Sequence, residues 1–323
     1  MVHPSAFAKK LWRIRKGRTY LVFNHGGFMY YTGFADEAAS GLDGQIKATK
    51  ELGWKNIETR KLFNGNLASI SDAEFAEVCE KLQKAKVSFN CFGSGVANWA
   101  KPITEAPDTS YDEMRKAVPR MQKLGIKMIR IMSFAVPKEV RDKDFSAEVI
   151  KRMKVIAKIA EDGGVTCVLE NCMNWGGLSY EHTLKLVEGV KSPSFKLVYD
   201  TGNPVSSEDV RGKPPYKFQS SWEFYKAVRE HVVYIHIKDG KMGADGKVIY
   251  TFPGEGDGDV RKILEDMFTR GYDGGISIEP HMVAIYHDKG PTKEELMYVN
   301  YVEYGQRIMK MVDEIRKEIP TKK

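Results

Sequence analysis

Glu170 in TCVLEN, Asp200 in KLVYDTGNP, His236 in VVYIHIKD and Glu279 in GISIEPH each close a short apolar, β-branched run in the second half of the chain. Three carboxylates and one imidazole make a complete ligand set for one divalent cation. Hard oxygen donors with a single nitrogen suit Mn2+ or Mg2+, with Zn2+ or Co2+ possible. Taken singly, each residue is equally well read as a hydrogen-bonded polar group at a strand end. Their joint occurrence points to chemistry, provided the fold gathers four successive strand ends in one place. A cation held this way supplies a Lewis acid for a substrate carbonyl beside a hydroxyl, and it stabilises the enediolate left when the neighbouring C–H loses its proton. General acid–base groups must then flank that carbon.

The elements that would position these residues repeat regularly. Strands are expected over residues 31–34, 56–58, 87–92, 128–133, 166–170, 195–200, 232–237 and 275–279. All are short and apolar or β-branched, as strands covered on both faces are. Helical patterns alternate with them. Ser71-x-x-Glu74 reads as a capping box, with Ile70 and Phe75 spaced for a hydrophobic staple, and Ser220-x-x-Glu223 and Thr292-x-x-Glu295 repeat the box. Val149, Ile150, Met153, Ile156 and Ala160 share one helical face. Tyr301, Gly305, Ile308, Val312 and Ile315 share another. Gly53, Gly125, Gly163 and Gly271 read as helix stops, and Pro119 predicts a kink or break. Strand and helix alternating eight times predict an α/β chain folded as a (β/α)8 TIM barrel rather than a doubly wound sheet. No G-x-G-x-x-G opens the first helix, so a dinucleotide domain has no support. The expected organisation is a short basic extension over 1–27, one catalytic barrel over 28–317 and a tail over 318–323.

Composition sets the function classes. The chain has 323 residues, 42% hydrophobic and 29% charged, with a mean hydropathy of −0.41. No run approaches the length of about 18 apolar residues that a spanning helix needs. The opening MVHPSAFAKKLWRIRKGRTY is basic and lacks a continuous apolar segment and a small-residue cleavage site, so it reads as an extension rather than a secretory signal. The net charge of +7 is spread over helical patterns and the termini, without a nucleic-acid-binding motif, so no nucleic-acid partner is expected. Cys79, Cys91, Cys167 and Cys172 form no C-x-x-C pair and read as reduced thiols of a cytoplasmic protein.

The ordered set Glu170, Asp200-Thr201-Gly202-Asn203-Pro204, His236-Ile237-Lys238-Asp239, Pro253-Gly254-Glu255-Gly256-Asp257 and Glu279-Pro280-His281 resembles the sugar isomerase/epimerase superfamily with the xylose isomerase-like barrel. The resemblance covers residues from about 30 to 317, and the order of the pieces is more specific than any one of them. It implies that Glu170, Asp200, His236 and Glu279 hold one divalent metal, often manganese. It also implies that Glu170 and Glu279 exchange protons on opposite faces of the reacting carbon of a sugar or polyol-derived ketone. Return of the proton to the opposite face gives epimerisation, and transfer between adjacent carbons gives isomerisation. A lyase or dehydratase would use the same metal site and end in loss of a β-leaving group. An abasic-site endonuclease needs several histidines, but Asn203 stands where one would be wanted, and only His3 and His25 precede Glu170. A non-enzymatic barrel subunit is the remaining alternative.

The substrate-binding candidates are Lys238, His281, Glu58, Trp175, Asn203 and Glu255. Lys238 shares the inward direction of His236, and reads either as a substrate contact or as a salt bridge to Glu255 or Asp239. Glu255 reads as a loop-fixing acid or a substrate contact. His281 reads as a substrate contact or a rim hydrogen bond. Glu58 and Arg60 read as an ion pair that reaches sugar hydroxyls. Trp99 and Trp175 read as an aromatic wall or as loop packing, and His25 as structural. Three acids in Gly254–Asp259 would repel a phosphate, which favours an unphosphorylated carbohydrate, although Lys241 and Lys247 keep phosphate open. Assembly as a homo-oligomer or with a partner subunit is left open.

Overall fold

The computed structural model describes residues 12–15, 18–21, 29–282 and 293–319. Eight parallel strands form one sheet: β1 (Tyr30–Gly33), β2 (Asn56–Thr59), β3 (Ser88–Gly93), β4 (Met128–Ile131), β5 (Thr166–Glu170), β6 (Phe195–Asp200), β7 (Val232–Ile237) and β8 (Gly275–Ile278). From β2 to β8 each strand pairs with the next in sequence, and β8 pairs back onto β1 with Gly275 opposite Tyr30. A single parallel bridge from Phe34 to Glu58 joins β1 to β2, so the sheet is a barrel with one thin seam. Helices follow the strands in turn: α1 (Leu42–Glu51), α2 (Asp72–Ala85), α3 (Asp108–Leu124), α4 (Ser146–Asp162), α5 (Tyr180–Val190), α6 (Ser221–Val228), α7 (Val260–Thr269) and α8 (Lys293–Glu318). This is the (β/α)8 barrel that the alternation predicts.

Local signals account for the helix boundaries. At the start of α2, Ser71 accepts from the Glu74 amide while Glu74 accepts from the Ser71 amide, a reciprocal cap worth about 1 kcal/mol. Ile70 and Phe75, which flank that cap, are both buried. Ser220 caps α6 through the Glu223 amide. Gly125 ends α3 at φ 74, a left-handed conformation that costs glycine nothing. Of the kink or break expected at Pro119, the break does not occur: α3 runs through it, and Pro119 is exposed, so the lost backbone bond falls on the solvent side.

Among the described residues, two hairpins lie outside the eightfold repeat. Trp12–Arg15 pairs antiparallel with Arg18–Leu21 in the basic extension. Asp239–Met242 pairs antiparallel with Val248–Thr251, a hairpin that leaves the end of β7 and that no strand pattern in the sequence signalled. His25, the remainder of the extension, the Thr292 cap and the last four residues lie outside the described residues. No helix among the described residues is long and apolar enough to cross a membrane.

The period-two geometry of a strand divides the side chains between two environments. Ile129, Ile131, Cys167, Leu169, Leu197, Tyr199, Ile235, Ile237, Ile276 and Ile278 pack outward against the helices as one continuous core. Their neighbours point into the barrel. Deep inside, Cys91, Val168, Val198 and Tyr234 form a small apolar layer. Above it the interior is polar, with Glu58, Arg130, Glu170, Asp200, His236, Ser277 and Glu279 all buried. The barrel therefore carries its candidate chemistry as a plug of charged groups at one mouth, where strand C-termini converge.

Candidate metal centre

The fold brings the four strand-end residues together. One donor atom from each of Glu170, Asp200, His236 and Glu279 lies within 4.8 Å of the others, and all four residues are buried. Each stands on an inward position of its strand end, so no loop has to fold back to complete the set.

Hydrogen bonds to the far atoms of these residues leave the near atoms facing the centre. Asp200 Oδ1 accepts from the amides of Gly202 (2.8 Å) and Asn203 (2.7 Å). Its Oδ2 has no hydrogen-bond partner; the Lys238 Nζ 3.0 Å away lies off the bonding direction. His236 Nε2 lies 3.0 Å from Glu58 Oε2, while its Nδ1 is buried without a partner, 3.8 Å from Glu279 Oε2. Glu58 also accepts from Tyr234 (2.7 Å) and Ser277 (2.6 Å). With two hydroxyl donors already on it, Glu58 is an acceptor for the Nε2–H, so it is the Nδ1 proton that leaves when the imidazole becomes neutral, and the lone pair then faces inward. Two buried polar atoms without partners, on a hard carboxylate and an imidazole, fit a divalent cation.

Three side-chain cations, Arg130, Lys238 and Arg60, hold the carboxylates, with His236 and His281 beside Glu279. Arg130 Nε lies 3.2 Å from Glu170 Oε2. Lys238 Nζ lies between Asp200 and Glu279, at 3.0 and 3.3 Å. Arg60 reaches Glu279 at 3.1 Å, Asp36 at 2.9 Å and Glu37 at 3.0 Å. Phe34 lies between the two guanidiniums, its ring centroid 4.4 Å from Arg60 and 5.4 Å from Arg130, and His236 meets it edge-on at 5.1 Å.

Ionisation follows from burial and these neighbours. Burial pushes the Asp200 carboxyl up to about 7, with Glu279 and Glu170 adding to the rise and Lys238 opposing it. Burial alone would lower His236, but the Glu58 carboxylate beside it raises the imidazole to about 9. Burial works against the Glu279 carboxylate too, yet Lys238, His281 and Arg60 hold it well below its ordinary range. The same reasoning keeps Lys238 charged: Asp200 and Glu279 outweigh the desolvation of its ammonium.

The other sequence candidates divide between the mouth and elsewhere. Asn203 donates to Glu170 Oε1 at 2.8 Å and so touches the centre. Lys238 pairs with Asp200 and Glu279 rather than with Glu255 or Asp239. His281 lies beside the centre, its Nε2 3.5 Å from Glu279 Oε1 and its Nδ1 2.9 Å from Glu37. Glu58 does not pair with Arg60 and has no surface exposure; barrel closure sets it beneath His236 instead. Trp175 is buried, edge-on to His182 at 4.7 Å in the helix-facing core, whereas Trp99 is exposed. Glu255 turns away and bonds Arg307 of α8 at 2.6 Å. Asp239 fixes the loop in its place, accepting the amides of Gly240, Gly254, Gly256 and Gly258. Sequence reasoning missed Arg130 and Glu37, and named Asp239 without its role of holding the loop. For Arg130, an inward position one residue before the end of β4 was the available signal.

With the geometry in place, comparison with known proteins gives the family. Residues 46–301 match the family model described as the xylose isomerase-like TIM barrel. The chain belongs to that family. Among solved structures it is similar to a D-tagatose 3-epimerase-like protein, with 16% identity, TM-score 0.69 and coverage of 90% of this chain and 100% of the other. A xylose isomerase-like TIM barrel protein from Mycobacterium smegmatis in complex with magnesium matches at 16% identity and TM-score 0.62, over 89% and 98% of the two chains. D-allulose 3-epimerase from Methylomonas sp. in complex with D-allulose matches at 16% identity and TM-score 0.60, over 88% and 98%. At these identities the likeness establishes the shared xylose isomerase-like barrel fold.

Proposed function

We propose that this chain is a divalent-metal-dependent isomerase or epimerase of a neutral sugar or polyol-derived ketone. The observation that carries the reading is the convergence of three buried carboxylates on an unpartnered imidazole Nδ1 at the strand C-termini of the barrel. Glu170, Asp200, His236 and Glu279 would hold the ion, with Mn2+ favoured by the oxygen-rich set. Bound there, it would supply Lewis-acid polarisation of the substrate carbonyl. Two structural neighbours are a sugar 3-epimerase and a 3-epimerase-like protein, which supports the same reading.

The chain's own groups supply the proton transfers. Glu170 and Glu279 stand on different strands, each held by its own arginine, and serve as the base and acid that remove a proton from carbon and return one. Arg60 and Lys238 keep Glu279 ionised and ready to accept. Lys238 also offers an ammonium donor to a substrate oxygen. Asn203, bonded to Glu170, fixes the orientation of that carboxylate.

Solvent deuterium uptake into D-tagatose, D-allulose and L-ribulose, with Mn2+ added and followed by proton NMR, tests this reading. Label at one carbon adjacent to the carbonyl is expected. Absence of exchange across these and a wider panel of ketoses, inososes and 3-keto-glycosides, by protein shown to bind Mn2+, would remove it.

A further inference from the structure

The hairpin after β7 has no place in the eightfold repeat, and its base is rigid. Asp239 is fully buried and accepts four backbone N–H groups, from Gly240 (2.9 Å), Gly254 (2.8 Å), Gly256 (3.2 Å) and Gly258 (2.9 Å). A Cβ on Gly256 would stand 2.4 Å from Asp239 Oδ1 and 2.5 Å from the Gly240 backbone, so the second turn of this loop is packed directly on the first. The ladder sets Tyr250 opposite Gly240, one residue from that anchor. Alternation along the strand then turns Ile249 out to solvent, 52% exposed, and Tyr250 the other way.

Tyr250 meets His281 edge-on, with ring centroids 5.1 Å apart and an interplanar angle of 81°. His281 is itself held at three points. Its amide donates to Glu37 Oε2 at 2.7 Å, its Nδ1 lies 2.9 Å from Glu37 Oε1, and its backbone adopts φ 51, which a non-glycine residue rarely accepts. Its Nε2 then stands 3.5 Å from Glu279 Oε1. Tyr250 is thus placed one imidazole beyond the candidate acid–base carboxylate, on the β7–β8 side of the mouth. Burial raises its phenol, Lys238 opposes the rise, and Asp200, Glu279 and Glu37 add to it, so the side chain stands within the field of the site's charges.

We propose that Tyr250 is a specificity-determining substrate contact, whose ring packs on the carbons of a neutral ketose remote from the reacting pair. This rests on the reading of the site as a ketose isomerase or epimerase. A half-buried aromatic ring on an anchored hairpin loses little entropy on binding and offers a flat apolar face to sugar C–H groups, with a hydroxyl at its end. Because it stands beyond His281, it meets the far end of the chain and leaves the carbons at the metal untouched. It therefore discriminates by substrate length: a six-carbon ketose reaches it and a five-carbon ketose reaches it less well.

The test is paramagnetic broadening of sugar proton resonances by the Mn2+-loaded full-length protein, titrated with D-tagatose, D-allulose and L-ribulose, for wild type, Tyr250→Ala, Tyr250→Phe and the opposite-face control Ile249→Ala. Tyr250→Ala is expected to weaken binding of the two hexuloses about tenfold and of L-ribulose less than about threefold. Tyr250→Phe and Ile249→Ala stay near wild type, and Mn2+ affinity is the same in all four. An equal loss for all three sugars would make Tyr250 a structural support of His281, and no loss would make it a bystander; either result overturns the proposal and spares the reading of the site. Wild-type protein that binds Mn2+ but broadens none of these sugars, nor any of the wider panel of ketoses, inososes and 3-keto-glycosides, would remove the reading itself, and this proposal with it.

Discussion

Glu58→Gln separates the support of His236 from the ligand set. Glu58 is fully buried and is the partner that raises the His236 imidazole to about 9. At pH 8 His236 is then about nine-tenths protonated, and the Nδ1 proton must leave before that nitrogen can bind a cation. Asp200, at about 7, is about nine-tenths ionised at the same pH and adds little. Titration calorimetry with Mn2+ at pH 8, repeated in buffers of different ionisation enthalpy, is expected to show about one proton released by wild type. In Glu58→Gln the anion is gone, burial returns the imidazole to its neutral form, and release falls towards zero. Loss of this support also lowers metal affinity by about 10- to 100-fold. The variant should lose about 3 kcal/mol of stability at pH 6, equivalent to about 4 °C in Tm for a chain of 323 residues. The sign of the pH effect is fixed. A histidine raised from 6.5 to about 9 contributes stability that is full below 6.5 and is lost as pH rises through 9, so the gap in Tm between wild type and variant should narrow from pH 6 to pH 9.5. Equal proton release by the two proteins would refute the assignment of the tautomer and of the role of Glu58.

Other substitutions probe separate parts of the structure. Glu170→Gln and Glu279→Gln should each abolish deuterium uptake while circular dichroism stays native; full uptake in either would dismiss it as the acid or base. Arg130→Met leaves Glu170 buried beside no guanidinium and should cost about 3–5 kcal/mol in denaturant titration. An unchanged midpoint would mean that the pair is not formed in solution. Gly256→Ala puts a Cβ against the Asp239 anchor and should open the loop over 239–258 to proteolysis without unfolding the barrel; equal cleavage rates would contradict the anchor. Glu255→Ala should leave deuterium uptake within twofold of wild type, because Glu255 faces Arg307, and a large loss would restore it as a substrate contact.

The residues by themselves determined the eight strands, the barrel and the one-per-strand positions of Glu170, Asp200, His236 and Glu279. Each of these is local. Short apolar, β-branched runs mark a strand, caps and glycines mark its neighbours, and parallel strands in a barrel present their C-termini on one face. The site's support was not legible in the same way. Glu58 and His236 are separated by 178 positions and Arg60 and Glu279 by 219, and they meet only because β8 closes back onto β1. Glu58 and Arg60, two apart at the end of β2, suggested each other as partners, but barrel closure offered each a better one, an imidazole beneath the centre for the acid and three carboxylates at the rim for the base. Glu255 and Asp239 show the same limit. Both are acids near a glycine-rich loop, and only the packing of that loop decided that Asp239 would hold it while Glu255 faced α8. Local periodicity fixes which way a side chain points, whereas its partner across the barrel is set by closure of the sheet, and no short window of residues encodes that.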